Sequence, residues 1–292
     1  MHSFTIKDLE NLSGIKAHTI RIWEQRYSFL KPSRTGTNIR YYCNEELKKL
    51  LNVALLNKYG YKISHIDKMS DADIKEKILS LNQSEAQQER VVNELIRHMV
   101  DLDMEKFEAV LDNYILVKGI EKAITQIVFP YLEKIGILWL TNHINPAQEH
   151  LVTNIIRQKL IVGIENIRSS VSINKKVLLF LPDDEFHELG LLFMNFLLKS
   201  RGVCAIYLGC SVPIDDVEFV VRQKDPDYIF THLTSVGHKF NFEKFLSTIN
   251  KRFPTTPVII SGKLTHTYEK KIHPPVTLIK TFGGVLDFVA GL

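Results

Sequence analysis

Three features are scarce in this sequence of 292 residues, and each scarcity excludes a class of protein. The cysteines, Cys43, Cys204 and Cys210, are odd in number and lack metal-ligand spacing, which favours reduced thiols over a disulfide framework. No apolar run approaches the roughly 20 residues that cross a bilayer, and the first residues lack the apolar core of a signal peptide. We therefore expect a protein of the reducing cytoplasm.

Catalytic signatures are also missing. The sequence has no P-loop, no glycine-rich dinucleotide fingerprint and no nucleophile elbow, so we expect no catalytic residues and no enzyme. The composition that remains is ordinary for a globular protein, with 45% hydrophobic and 24% charged residues. The length suits two or three domains of roughly 100–150 residues each.

Charge is unevenly distributed along the chain. Residues 1–70 contain 12 Lys/Arg and 6 Asp/Glu, a net charge of +6, which leaves −2 for the other 222 residues. A basic module on a near-neutral body is typical of a chain that places one end on nucleic-acid phosphates. The alternative from charge alone is a solvated basic surface.

The N-terminus is predicted to form a helix-turn-helix with a wing. Short helical patterns at 4–12 and 16–27 meet at Ser13-Gly14, with Thr5 as a candidate N-cap. Residues 31–43 are β-like and punctuated by Pro and Gly, and a longer amphipathic helix follows at 44–58.

The middle of the chain, residues 85–168, has helical periodicity with breaks near 101–103, 117–119 and 141–145. Four helices with short connections predict a four-helix bundle. The last helix has a start signal, because Asn145 can cap it, Pro146 suits its first position and Gln148 can complete a capping box.

After Lys175 the pattern changes to apolar runs separated mostly by helical stretches. The five runs are 177–181, 203–208, 228–233, 258–261 and 276–279. Continuous apolar runs are typical of buried parallel strands, so we predict a doubly wound, flavodoxin-like sheet.

The predicted fold is thus a multi-domain α/β protein. We place a winged helix-turn-helix DNA-binding domain at 1–75, the four-helix bundle at 76–170 and the flavodoxin-like domain at 171–292.

Candidate DNA contacts lie on the second helix and the wing. The second helix of such a module enters the major groove with its first residues at base edges. His18 and Thr19 are therefore candidates for base contacts, and Arg21 and Arg26 for base or phosphate contacts. The wing segment adds basic and aromatic candidates at Arg34, Arg40 and Tyr41, whereas Ile20, Trp23 and Tyr42 are interpreted as core.

A second group of candidates begins with the run Glu185-Phe186-His187-Glu188-Leu189-Gly190, directly after the first predicted strand. Ligands of doubly wound sheets bind beyond the carboxyl ends of the strands, where His187 is expected. Upstream, nine residues separate Trp139 from Glu149-His150. Taken singly, His187 is a polar loop residue, Trp139 a buried bundle aromatic and Glu149-His150 a solvated helix start.

Together these features resemble one architecture, the MerR-family transcriptional regulators with a C-terminal cobalamin-binding domain, of the CarH/LitR-like photoreceptor group. The resemblance spans nearly the whole chain. It implies a winged helix-turn-helix that dimerises and binds pseudo-palindromic promoter DNA. It places Arg21, Arg34, Arg40 and Tyr41 at phosphate-contacting positions.

The resemblance further implies adenosylcobalamin, or another cobalamin, as cofactor. His187 would be the lower axial ligand of cobalt, Glu185 the carboxylate that orients it, and Gly190 the place where the nucleotide tail passes close to the backbone. Trp139 would cover the upper axial face, with Glu149 and His150 near the adenosyl group. Two later motifs complete the set of cofactor-binding residues. Thr231 and Leu233 stand for the family's Ser-x-Leu, and Ser261 and Gly262 stand for its Gly-Gly.

The sequence departs from this family pattern at four positions. Glu185 replaces an aspartate and keeps the carboxylate, and Thr231 replaces a serine and keeps the hydroxyl, whereas the other two departures change the chemistry. Ser261 stands where the family has a glycine, which adds a Cβ near the expected nucleotide tail. Leu140 stands directly after the tryptophan, where the family has the histidine that ligates cobalt after photolysis. Leucine cannot ligate, so whether this chain senses light is left open.

The sequence features are compatible with three functions. The first is a repressor in which adenosylcobalamin assembles dimers or tetramers on promoter DNA in the dark, and light cleaves the cobalt–carbon bond and releases repression. The second is a regulator of the same fold that is independent of cobalamin and controlled by a partner protein or another ligand. The third is a corrinoid carrier in methyl transfer, in which a basic helix-turn-helix would have no use.

Overall fold

The computed structural model describes residues 4–140, 145–168, 171–234 and 240–292, without the side chains of 137–140. The chain divides into two compact units, Met1–Ile155 and Ile156–Leu292. The finer division into three domains, at 1–75, 76–170 and 171–292, stays a prediction.

The first unit begins with two short helices, α1 (Ile6–Ser13) and α2 (Ala17–Arg26). Thr5 and Asp8 form a capping box, in which Thr5 N donates to Asp8 Oδ2 at 2.7 Å and Asp8 N donates to the Thr5 hydroxyl at 3.3 Å. Gly14 turns the chain with φ of +74°, a conformation that favours glycine. The predicted cap and turn are confirmed.

A two-stranded wing follows. Strand β1 (Ser33–Arg34) pairs antiparallel with β2 (Arg40–Tyr41), and α3 (Asn44–Lys58) comes next. The side chains that we interpreted as core are buried, namely Ile20, Trp23 and Tyr42. The prediction of a winged helix-turn-helix is confirmed.

Two short helices lie where the sequence pattern predicts none, α4 (Ile63–Ile66) and α5 (Asp71–Leu79). The four residues of α4 are too few to show a hydrophobic period, and α5 is mostly polar, with only Ile74, Ile78 and Leu79 as large apolar residues. A signal exists for α5, because the Ser70 hydroxyl and the Asp73 backbone and carboxylate form a capping box like that of Thr5.

The helical segment contains α6 (Ser84–Val100), α7 (Met104–Lys118), α8 (Ile120–Ala123), a π-helical turn (Ile124–Val128), α9 (Phe129–Leu140) and α10 (Pro146–Glu165). Because α8, the π turn and α9 follow one another without a break, the segment consists of four long helices. This confirms the predicted bundle.

Buried polar contacts join the bundle helices. The Tyr131 hydroxyl donates to Met99 Sδ at 3.0 Å, and Gln148 Nε2 donates to Met99 O at 3.1 Å. Burial raises the pKa of Tyr131 well above its ordinary value. Asn145 N donates to Gln148 Oε1 at 3.1 Å, and Ala147 N donates to Asn145 Oδ1 at 2.9 Å, which confirms the predicted start of α10.

The second unit alternates strands and helices. They are β3 (Ile173–Pro182), α11 (Leu189–Ser200), β4 (Val203–Val212), α12 (Ile214–Lys224), β5 (Tyr228–His232), α13 (Phe242–Arg252), β6 (Val258–Ser261), α14 (Lys263–His266), β7 (Val276–Ile279) and α15 (Phe282–Ala290). The five strands are parallel in the order β4-β3-β5-β6-β7, so the path of the chain across the sheet reverses at β3. The flavodoxin-like prediction is confirmed.

Helices cover both faces of this sheet. On one face, Ile229 and Ile260 of the strands cluster with Val217 of α12 and Ile249 of α13. On the other face, Phe288 of α15 stacks on Phe230 with ring centroids 6.3 Å apart, and α11 is buried along its length. Within the described ranges, no helix combines the length and the apolar character that a bilayer crossing requires.

Candidate functional sites

The candidate base-reading residues lie on α2. His18, Arg21 and Arg26 are exposed, while Thr19 is half-buried with its hydroxyl 3.3 Å from His18 Nε2. Ile20 and Trp23 point into the core, so the helix presents its basic side outward. This is the arrangement that a recognition helix requires, and the individual DNA contacts stay predictions.

The wing residues are held in part by one carboxylate. Arg40 Nε donates to both oxygens of Glu24, at 3.0 and 2.9 Å, and the Arg34 guanidinium lies 3.7 Å from Glu24. Arg34 also donates to Asn38 Oδ1 at 2.8 Å. Tyr41 is exposed at the end of β2. Arg40 is therefore fixed against α2, whereas Tyr41 faces outward.

Glu24 is a positioning residue that the sequence did not reveal. Its side chain is only 11% exposed, and it also accepts a hydrogen bond from the Tyr42 hydroxyl at 3.4 Å. Burial, aided by the Glu24 charge, raises the pKa of Tyr42 to about 12. In the sequence alone, Glu24 is an acidic residue on a basic helix and has no evident partner. Its partner, Arg40, is apparent only once the wing is folded against α2.

The second site lies where the sheet reverses, at the carboxyl ends of β3 and β5. In doubly wound sheets this switch point is where ligands bind. Glu185, in the loop after β3, is 0% exposed. Its Oε2 accepts from Thr234 N, after β5, at 3.0 Å, and its backbone oxygen accepts from Ser211 N, on β4, at 3.1 Å. One buried carboxylate residue thus ties three strand ends together.

The same carboxylate orients His187. Glu185 Oε1 lies 2.6 Å from His187 Nδ1 and accepts from His187 N at 3.0 Å, while the imidazole side chain is 40% exposed. Because a carboxylate accepts hydrogen bonds, the contact assigns the ring proton to Nδ1 and the metal-binding lone pair to Nε2. A histidine held in this way is suited to coordinate a transition metal. This arrangement fits the cobalt ligand that the sequence predicts.

The backbone beside Glu185 is unusual at two residues. Asp184, in the loop after β3, and Ser211, near the end of β4, adopt φ of +63° and +52°, a region that residues other than glycine rarely enter and that costs roughly 1–3 kcal/mol each. Asp184 N donates to the Ser211 hydroxyl at 3.3 Å. Strained residues that are held by their surroundings cluster at functional sites.

A charged network adjoins His187. Glu188 Oε1 lies 2.7 Å from Arg157 Nε of α10, and Glu188 Oε2 accepts from the Tyr207 hydroxyl at 3.1 Å. Burial and the nearby Glu188 charge raise the pKa of Tyr207 far above its ordinary value. The sequence did not single out these three residues, because they are distant in the chain and meet only after folding.

Gly190 is the second residue of α11 and is in close contact with His232. A Cβ built on Gly190 would lie 2.6 Å from His232 Cδ2 and 2.7 Å from His232 Nε2. His232 Nδ1 is hydrogen-bonded to the Ser261 hydroxyl at 2.8 Å. The group close to Gly190 in this structure is thus a side chain of the same unit, and the approach of a nucleotide tail stays a prediction.

The remaining second-unit candidates lie at the ends of β5 and β6. Gly262 has φ of +100°, and a Cβ there would lie 2.4 Å from Leu233 O, so only glycine fits. Ser261 and Thr231 are buried, and Thr231 Oγ1 makes no hydrogen bond among the described residues. A buried hydroxyl without a partner is rare in folded proteins, which sets Thr231 apart from the other candidates.

The candidates of the first unit lie on α9 and α10. Glu149 is half-buried, accepts from the Thr153 hydroxyl at 3.0 Å and contributes to the raised pKa of Tyr131. His150 is exposed, with its Nδ1 3.4 Å from Glu149 Oε2. Trp139 is on the last turn of α9, and its side chain, like that of Leu140, lies outside the described residues. The structure therefore brings Glu149 and His150 together.

Two segments of the chain match known protein families. Residues 4–73 match the MerR HTH family regulatory proteins, and residues 91–162, which cover the helical bundle, match a B12 binding domain. The chain is a MerR-type regulator with a B12-binding domain. The predicted family is confirmed.

Two curated proteins of Myxococcus xanthus are similar to this MerR-type regulator over most of its length. The HTH-type transcriptional repressor CarH is 26% identical over 275 residues, 91% of each chain. The HTH-type transcriptional repressor CarA is 26% identical over 259 residues, 88% of this chain and 85% of its own.

The monomethylamine corrinoid protein of Methanosarcina barkeri shares the fold. It has a TM-score of 0.50 and 9% sequence identity, and the match covers 70% of this chain and 100% of that protein. At this identity the likeness concerns the fold alone, in which helices accompany a doubly wound sheet.

Proposed function

We propose that this MerR-type regulator is a cytoplasmic transcriptional repressor that binds promoter DNA as a homo-oligomer under the control of adenosylcobalamin. One observation carries the proposal. A histidine oriented by a fully buried glutamate lies at the switch point of a doubly wound sheet, in the same chain as a basic winged helix-turn-helix. The kinship with two transcriptional repressors supports repression as the mode of control.

The residues of the chain have defined tasks in this proposal. His187 presents Nε2 to cobalt, and Glu185 holds the ring by its protonated Nδ1. The Glu188, Arg157 and Tyr207 network fixes the loop that carries His187. Bound adenosylcobalamin would supply a cobalt–carbon bond that light can break.

Control requires only that ligand and DNA favour the same assembled state. If adenosylcobalamin stabilises that state, it raises the affinity for DNA, and DNA raises the affinity for adenosylcobalamin by the same factor. Typical coupling energies of about 1–3 kcal/mol correspond to roughly 5- to 150-fold changes in affinity.

The test measures DNA affinity with and without the ligand. A duplex is first selected from a random-sequence pool with the full chain in the dark, and its Kd is then titrated at fixed salt, with size-exclusion chromatography reporting the oligomer. We expect adenosylcobalamin to lower the Kd at least fivefold for the wild type and to have no effect on His187→Ala. His273→Ala, an exposed histidine of the same unit, is the matched control and should respond like the wild type.

A second function is favoured by a specific observation. His232 and Ser261 occupy the space beside Gly190, which the resemblance assigns to the cofactor tail. A regulator of this fold that does not use cobalamin would answer instead to a partner protein or another ligand. Wild-type protein that binds the selected duplex fully without adenosylcobalamin, and ignores its addition, would contradict the cobalamin proposal in favour of this alternative.

A further inference from the structure

The crevice between the first turn of α11 and the end of β5 is filled by an imidazole ring. Three ring atoms of His232, Cδ2, Nε2 and Cγ, lie 2.6, 2.7 and 3.0 Å from the place where a Cβ of Gly190 would be. Helix and ring are therefore in direct contact, and the backbone at Gly190 can be approached by another group only if the ring moves.

The ring is also fixed from the opposite side. His232 and Ser261 are register partners at the ends of the parallel strands β5 and β6, so their side chains leave the sheet on the same face. His232 Nδ1 and the Ser261 hydroxyl are hydrogen-bonded at 2.8 Å, and Ser261 is buried. Burial lowers the pKa of His232 to about 4, so the ring is neutral at pH 7.

The family resemblance places the nucleotide tail of cobalamin beside Gly190, and the His232 ring occupies that place. Gly190 follows His187 by three residues in the chain, and the Glu185 carboxylate that binds His187 also influences His232 electrostatically. A tail directed along Gly190 would therefore meet the imidazole ring.

We infer that the hydrogen-bonded pair His232 and Ser261 closes the crevice beside Gly190 and makes the chain selective for corrinoids whose nucleotide tail stays outside it. This rests on the proposed function, because it concerns the ligand that His187 binds. The pair is specificity-determining through the volume it occupies, and neither side chain touches cobalt.

The test compares two ligands that differ only in the tail. Adenosylcobalamin has the nucleotide, and adenosylcobinamide has the same corrin ring and adenosyl group without it. Both are titrated against the full chain in the dark, with absorbance after gel filtration as the readout. We expect the wild type to bind adenosylcobinamide at least as tightly as adenosylcobalamin, because the tail gains no contact in the crevice.

Opening the crevice should change only one of the two affinities. We expect His232→Ala to bind adenosylcobalamin at least tenfold more tightly than the wild type and adenosylcobinamide within about threefold. Ser261→Ala removes the hydrogen bond that holds the ring but keeps the ring itself. We therefore expect its affinity for adenosylcobalamin to rise as well, but by less than in His232→Ala. His273→Ala should alter neither affinity, and thermal melting of each variant checks that it is folded.

The outcomes separate this inference from the proposed function. A wild type that binds adenosylcobalamin at least tenfold more tightly than adenosylcobinamide would overturn the inference and leave cobalamin control intact. If the wild type, His232→Ala and Ser261→Ala all retain neither corrinoid, both this inference and the proposed function are overturned. A wild type that retains neither corrinoid, with a His232→Ala variant that retains adenosylcobalamin, would show that the ring excludes both ligands, which overturns the inferred selectivity and contradicts cobalamin control of the natural chain.

Discussion

Glu185 has no exposed surface, and its side chain accepts hydrogen bonds from two backbone groups and from an imidazole. Such a carboxylate is stable in the interior because the hydrogen bonds that its oxygens accept offset the cost of burying it, and the same hydrogen bonds orient His187. Changing the residue that orients a metal-binding histidine commonly lowers the metal affinity by roughly 10- to 100-fold.

We therefore expect Glu185→Gln to weaken adenosylcobalamin binding about 10- to 100-fold, because an amide nitrogen placed toward Nδ1 cannot accept its proton. Equilibrium dialysis in the dark measures the change. Glu243→Gln, an exposed change in the same unit, serves as control. Equal affinities for Glu185→Gln and wild type would show that the pair does not support the ligand.

His232 gives the second prediction for a single residue, a pH dependence of stability. Its pKa is about 4 in the folded protein against an ordinary value of 6.5, because burial disfavours the charged ring. Between these pH values the unfolded chain binds more protons than the folded chain, so stability falls as the pH is lowered from 6.5 to 4. The effect amounts to about 3 kcal/mol once the pH is below both values.

The measurement is urea unfolding of wild type and His232→Asn at several pH values. Asparagine keeps a polar side chain and does not titrate, so the advantage of the wild type over the variant should shrink by up to about 3 kcal/mol between pH 7 and pH 4. A constant difference would mean that the ring is solvated in the folded state.

At the scale of elements, the His232 ring at the end of β5 should limit the size of the side chain that position 190 of α11 can carry. Gly190→Ala brings a methyl group within 2.7 Å of the His232 ring, and overpacking of this kind costs roughly 1–3 kcal/mol. In a His232→Ala background the same change should be neutral or stabilising, because alanine favours a helix by up to about 1 kcal/mol over glycine.

A double-mutant cycle with urea unfolding measures this coupling. Gly283→Ala in α15 is the matched control, since a Cβ there meets no heavy atom of the described residues within 4 Å. A cost for Gly190→Ala that persists without His232 would show that the backbone, and not the ring, requires glycine at this position.

The wing should depend on Glu24 in a similar way. Glu24→Gln weakens two charge-assisted hydrogen bonds from Arg40, so we expect a loss of roughly 1.5–3 kcal/mol in the free energy of unfolding of the first unit. Glu10→Gln weakens contacts with the exposed Lys7 and Lys16, which solvent screens, and should cost clearly less than Glu24→Gln. Equal losses in the two variants, by urea unfolding, would contradict the anchoring role of Glu24.

Elements with a strong local signal were predictable from the sequence. The runs at 177–181 and 258–261 are buried parallel strands, and Asn145 with Gln148 begins α10 as the capping pattern indicated. Helix α4 was missed because a single turn has no hydrophobic period to detect, and α5 was missed because it is mostly polar, so its period is weak.

The candidate site was predictable only where its residues are adjacent in the chain. Glu185 and His187 are two residues apart, so their contact could be anticipated. Thr234, Arg157 and His232 join the site through the reversal of the sheet and the approach of helices, which no short motif encodes.

At the scale of the whole molecule, the chain divides into two compact units, and the division falls between Ile155 and Ile156 of α10. Helix α10 therefore carries Glu149 in the first unit and Arg157, which binds Glu188 beside His187, in the second. The net charge of +6 in residues 1–70 places the nucleic-acid-binding surface in the first unit, as the MerR-type match requires.

The central claim is that one chain joins DNA binding to cobalamin. The most direct measurement is the absorbance spectrum of the full chain after mixing with adenosylcobalamin in the dark and desalting, before and after illumination. We predict that the pigment co-elutes with the wild type and is lost from His187→Ala. The spectrum after illumination decides whether the ligand sensor also responds to light, which the sequence leaves open at Leu140, and colourless wild-type protein would contradict the cobalamin claim itself.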